Sequence, residues 1–148
     1  MNENEFWTII GKLDWTAEDE EDVIEPVIEY LASKTDEELF EFEELLAQKL
    51  FALDTKANAK ESGEYGYTDD DSQYFSVDSF LYARACVVAN GQDFYNKVLK
   101  DPQEFPKDMD FETLLYVAQE AFERKNDDEW DYVSPTCYET FQNREGWE

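Results

Sequence analysis

The chain has 148 residues, 42% hydrophobic and 16% aromatic, which is the length of one domain with enough apolar material for a core. Thirty-eight acidic against twelve basic side chains leave a formal charge of −26, a surface that repels nucleic acid and anionic membranes and attracts basic proteins. No histidine is present, which removes the commonest general base and zinc ligand, and the aromatic content argues against acidic disorder.

In chain order, Phe6, Ile9, Ile10 and Leu13 lie at the spacing of one helix face, with Trp7 beside it. A second face is formed by Ile24, Val27, Ile28 and Leu31. Pro26 lacks an N–H, so the sequence predicts a late helix start near Glu25. Glu18, Asp19, Glu20, Glu21 and Asp22 then form a separate turn or a solvated lead-in. The next start is sharper. Thr35 followed by Glu38 reads as a capping box, and Leu39, Phe42, Leu46, Leu50 and Leu53 continue one stripe. Glu37, Glu38, Glu41, Glu43 and Glu44 crowd its early turns, where the helix dipole tolerates acids.

After Asp54 the pattern fades into SGEYGYTDDDSQYF, residues 62 to 75, a loop broken by Gly63 and Gly66. Ser76 to Ala89 is apolar on most sides and reads as a central buried helix, with Asn90 and Gly91 at its end. Cys86 within it has the role of a small buried hydrophobe. Phe94, Tyr95, Val98 and Leu99 give a short helix stopped by Asp101–Pro102. The last helix is expected from Asp110, through Phe111, Leu114, Leu115, Ala118 and Phe122, and Ser134–Pro135 opens a final turn through Phe141. No alternating strand pattern is found. The expected fold is all-α, a compact single-domain bundle of about five to six helices with an acidic inter-helix loop; residues 1–125 form the domain, and 126–148 an acidic aromatic tail packed on or extending it.

The segment DSFLYARACVVANGQDFY, Asp78 to Tyr95, resembles DUF4240, a bacterial domain family of unknown function. The matching features are Asp78, Ser79 and Phe80, then Arg84, Ala85, Val87, Val88, Gly91, Phe94 and Tyr95. Glu5 to Trp7, the helix start at Thr35, Leu99 to Phe105 and Phe111 to Lys125 also fit. The chain departs from the family at Cys86, where a tryptophan is usual, in the loop before the central helix, and after Lys125. The resemblance implies an all-α fold and brings no activity or catalytic residues.

The inventory of chemistry is short. Two cysteines without histidine argue against a zinc site or a Cys–His nucleophile. An EF-hand loop from Asp69 needs glycine sixth and glutamate twelfth, where Tyr74 and Phe80 stand. Neither a signal peptide nor a run of about eighteen apolar residues is visible, so a cytoplasmic location is expected. Arg84, in an apolar helix, either snorkels out or meets a carboxylate inside; an internal ion pair is the favoured reading, an anion-binding group the alternative. Charge is uneven: residues 14–44 hold fourteen acids against one base, and 101–148 fourteen against four.

These features lead to a non-enzymatic protein-binding domain without cofactor or metal. Its expected role is an immunity or antitoxin-like inhibitor that occludes a basic bacterial toxin. The alternative is a cytosolic regulatory or housekeeping interaction domain; third comes a carboxylate enzyme or divalent-metal binder. The candidate partner-binding residues are Tyr65, Tyr67, Asp69, Asp70, Asp71 and Tyr74 in the loop, the acids Glu18 to Asp22, and Trp130 in the tail.

Overall fold

The computed structural model describes residues 1–148. Its regular elements are all helical: α1 (Glu3–Ile10), α2 (Glu20–Ala32), α3 (Asp36–Ala52), α4 (Lys56–Lys60), α5 (Val77–Ala89), α6 (Gln92–Lys100), α7 (Val117–Asn126) and α8 (Arg144–Trp147). Two 3₁₀ turns, Pro102–Glu104 and Glu112–Tyr116, complete them. Six helices have seven or more residues, and the one-turn helices α4 and α8 raise the number above the five to six expected. Neither is long enough to show an apolar period.

Side-chain caps set most of the helix starts. Asn2, Thr35, Thr55 and Ser76 each accept from the backbone N–H three residues on, at 2.9–3.2 Å. The expected Thr35 cap is present. Asp36 beside it bonds Lys125 and Asn126, tying the start of α3 to the end of α7.

Pro26 does not delay α2, which begins at Glu20. A proline in a helix interior costs about 3 kcal/mol. Val23 and Ile24, buried beside Val27 and Ile28, each return about 1.5–3 kcal/mol when the early turn forms. Burial wins, and the Asp22 carbonyl that lost its donor belongs to an exposed residue. Glu20, Glu21 and Asp22 are therefore the first turn of α2, while Glu18 and Asp19 precede it.

Four other expectations change. Trp7 lies in the core at 8% exposure, edge-on to Phe6. Leu99 is exposed. The last long helix opens as the 3₁₀ turn at Glu112 and becomes α-helical only at Val117. Residues 134–141 form no helix; the chain ends instead in α8.

The core is one cluster drawn from every long helix, with α2 packed along α7 and α5 against the Glu112–Tyr116 turn. Helix α5 runs through its middle with Phe80, Leu81, Ala83 to Ala89 buried, Cys86 among them as expected. Arg84 is fully buried there without a carboxylate in contact. Its guanidinium donates to the Leu50 carbonyl (3.0 Å), the Tyr138 carbonyl (2.9 Å) and Thr140 Oγ1 (3.0 Å). Burial lowers its pKa to about 10, against the opposing charges of Asp54 and Glu139. Neutral acceptors replace the expected contact ion pair because helix α3 ends beside it, and the Leu50 carbonyl of its last turn accepts the guanidinium as well as the Leu53 N–H.

Buried Asp54 completes this junction. Its carboxylate accepts from the N–H groups of Phe141 and Asn143 and from Trp147 Nε1, at 2.8–3.2 Å. No helix is long and apolar enough to cross a membrane.

Candidate functional site

The loop between α4 and α5 is held down at two places. Gly63, at φ 116°, lies against Asp108, whose Oδ1 accepts from the Glu64 N–H at 2.8 Å; a Cβ on Gly63 would sit 2.2 Å from that oxygen. The Asp108 N–H in turn donates to the Ser62 carbonyl (3.0 Å), and Lys107 bridges to the Glu61 carboxylate (2.8 Å). Gly66 packs where a Cβ would lie 2.8 Å from the Ala59 carbonyl. The glycines thus permit close approach of the loop to its neighbours.

The six loop candidates fall into two groups. Tyr67 is half-buried, edge-on to Phe75 and Trp147 at 5.6 and 5.3 Å, and staples the loop to the core. It does not offer the exposed face expected of it. Tyr65 and Tyr74 do: they are 52% and 71% exposed and meet edge-to-face at 6.1 Å. Asp69, Asp70 and Asp71 are exposed. Asp69 reaches Lys60 at 3.1 Å. The Ser72 N–H and hydroxyl donate to Asp70 and hold its carboxyl below the usual range.

Between this loop and residues 108–110 opens a cleft of about 320 Å³, lined by Glu64, Tyr65, Tyr82, Asp108, Met109 and Asp110, with Ser62 and Ser79. Met109 is 53% exposed. Next to Asp110, Phe111 lies tilted against the half-exposed Trp15, with ring centroids 5.2 Å apart. Burial chiefly, helped by the charges of Asp110 and Glu20, raises the Cys86 thiol. Glu18, Asp19, Glu20, Glu21 and Asp22 are all exposed. The 108–111 segment thus runs from the loop, at Asp108, to Trp15, at Phe111.

Tyr82 lines the cleft and Tyr116 does not. Tyr116 donates to Glu112 at 3.0 Å, and burial followed by the Glu112 charge raises both the Tyr82 and Tyr116 phenols. Beyond Tyr116 lies a second groove of about 290 Å³, whose wall includes Trp130, Tyr132, Tyr138 and Glu139. Trp130 is half-buried, edge-on to Phe122 at 5.3 Å and 5.6 Å from the Phe40 ring. It lines this separate groove and is not brought together with the loop residues at the first cleft. No lysine or arginine lines either concavity.

At the floor of the second groove is Glu43, a residue that sequence reasoning counted only among the acids of α3. It is 9% exposed, and desolvation with the neighbouring Glu44 charge raises its carboxyl to about 7. The sequence held a signal for this. Glu43 follows Leu39 by four residues and precedes Leu46 by three, on the buried stripe.

Fold and site together define an all-α domain with an acidic, aromatic face. The chain belongs to the family described as "Protein of unknown function (DUF4240)", whose model matches residues 1–124. Neither a curated protein nor a solved structure matches it. The first cleft lies within the matched residues, whereas the Trp130–Glu139 wall of the second groove lies beyond them.

Proposed function

We propose that this chain is a non-enzymatic, acidic protein-binding domain of the immunity or antitoxin kind, which occludes a basic surface on a bacterial toxin. One observation carries the reading. Exposed Tyr65 and Met109 line a cleft walled by Glu64, Asp108 and Asp110 with no basic side chain in it; exposed Tyr74 meets Tyr65 edge-to-face, and exposed Trp15 lies against Phe111, next to Asp110. Aromatic anchors supply contact area, while carboxylates steer and orient a cationic partner. The charge of −26 extends that attraction beyond the contact surface.

The proposal is tested by capture from the native host with the wild-type chain and with a Tyr65→Ser, Tyr74→Ser double variant. The expected partner is basic, is retained at moderate salt by the wild type and is lost by the variant. Its activity is expected to fall when the chain is bound. Capture of an acidic partner, or equal retention by the variant, contradicts the reading.

A further inference from the structure

The second groove runs between α3, the Glu112–Tyr116 turn with α7, and the C-terminal segment. Glu43 is more than nine-tenths buried, lines this groove and makes no side-chain hydrogen bond within the protein. Its neighbour Glu44 is differently placed. Against the upward pull of desolvation, hydrogen bonds from Ser134, Thr136 and Gln48 keep the Glu44 carboxyl low and ionised. The titratable groups facing Glu43 are Glu44 on α3, Tyr116 on the turn, and Tyr132, Cys137, Tyr138 and Glu139 on the C-terminal segment. None is a cation. Lys125 and Arg124, on α7, are engaged by Asp36 and Glu25.

An ionised carboxylate taken out of water without a counter-charge is unstable, and the walls here are rings: Trp130, Tyr132, Tyr138 and Tyr116. A planar cation satisfies both features. A guanidinium gives a carboxylate two parallel hydrogen bonds, stacks on aromatic faces and is more weakly hydrated than an ammonium. We infer that this groove is a receptor for one alkylguanidinium group, the head of an arginine side chain on the basic partner. The inference rests on the proposed function for its source of arginine, while the pocket chemistry stands on Glu43 and its aromatic walls. Binding favours the ionised carboxylate, so Glu43, held near 7 when the groove is free, releases a proton as the cation enters.

The test uses the full chain and n-butylguanidinium, followed by the Trp130 indole N–H resonance, assigned with a Trp130→Phe variant. Saturable binding in the millimolar range is expected, tightening about twentyfold between pH 5.5 and 7.5 as the Glu43 proton is lost. Neutral n-butylurea is expected not to bind, n-butylammonium to bind more weakly, and Glu43→Gln to weaken n-butylguanidinium at least about tenfold. The inference is overturned by equal binding of n-butylurea, by unchanged affinity in Glu43→Gln, or by no saturation up to about 50 mM. Equal binding of n-butylammonium would overturn the choice of guanidinium. The n-butylurea comparison is made on the wild-type chain and does not depend on the variant folding. No partner protein is needed, so a failed capture and an empty groove are separate results.

Discussion

Glu43 occupies a position on α3 that the helix otherwise gives to Leu39, Leu46 and Leu50, and its carboxyl is raised from 4.5 to about 7. The folded chain therefore holds a proton on Glu43 that the unfolded chain gives up above about pH 4.5. Its contribution is fully present below pH 4.5 and is lost as pH rises to about 7, after which it levels off. The expected loss is about 3 kcal/mol over that window, since each pKa unit corresponds to about 1.4 kcal/mol. Glu43→Gln keeps the shape and removes the titration. Urea melts at pH 5 and pH 8 are expected to show the variant gaining about 2 kcal/mol on the wild type at the higher pH. Equal pH dependence in both chains would show that Glu43 is solvated.

Arg84 acts across elements: it joins the end of α3, through Leu50, to the C-terminal segment, through Tyr138 and Thr140. Replacing it with methionine fills most of the space but removes the guanidinium from three acceptors, of which only the Leu50 carbonyl keeps another backbone donor, the Leu53 N–H. Arg84→Met is expected to cost about 3 kcal/mol and to speed hydrogen exchange in residues 138–147, read by mass spectrometry. Exchange that rises uniformly would mean that the segment is not held there. The loop clasp makes a parallel case. Gly63→Ala puts a Cβ against Asp108 at a positive φ and is expected to cost about 2 kcal/mol, with faster exchange at Glu64 to Tyr67.

How far each element was legible follows from its length and its company. Helices α1, α3 and α5 present several turns of apolar side chains, so their faces and the burial of Cys86 are plain in the sequence. Helices α4 and α8 have a turn each and depend on tertiary partners: Asn58 donates to the Leu53 carbonyl, and Trp147 to Asp54. The early start of α2 was hidden because proline propensity is local, whereas the burial of Val23 and Ile24 that outweighs it is not. The clefts were only partly legible. Exposed Tyr65 and Tyr74 fell within a conspicuous motif, but Tyr67 differs from them through contact with Trp147, eighty residues away in the chain. Asp108 and Met109 enter the site through backbone bonds to Ser62 and Glu64 that no local pattern records.

At the scale of the molecule, charge is the dominant quantity. Six ion pairs, one of them to the N-terminal amine, engage six of the thirty-eight acids. The rest repel one another at low ionic strength. Raising salt from about 10 to about 300 mM shortens the screening length severalfold, so the melting temperature is expected to rise. A melting temperature indifferent to salt would show that the acids are neutralised by some bound cation.

The same unbalanced charge is what the proposed function uses, and its most direct test is the rate of association with the captured basic partner. Asp69→Asn, Asp70→Asn and Asp71→Asn together remove three charges from the loop that supplies Glu64 and Tyr65 to the first cleft, while asparagine at position 70 can still accept from Ser72. Stopped-flow measurements across a salt series are expected to show the triple variant associating several-fold more slowly than wild type at low salt. The two rates should converge as salt screens the field, with thermal stability changed by less than about 1 kcal/mol. Equal rates and equal salt slopes for the two chains would contradict the account, because the acidic loop would then lie away from the surface that meets the partner.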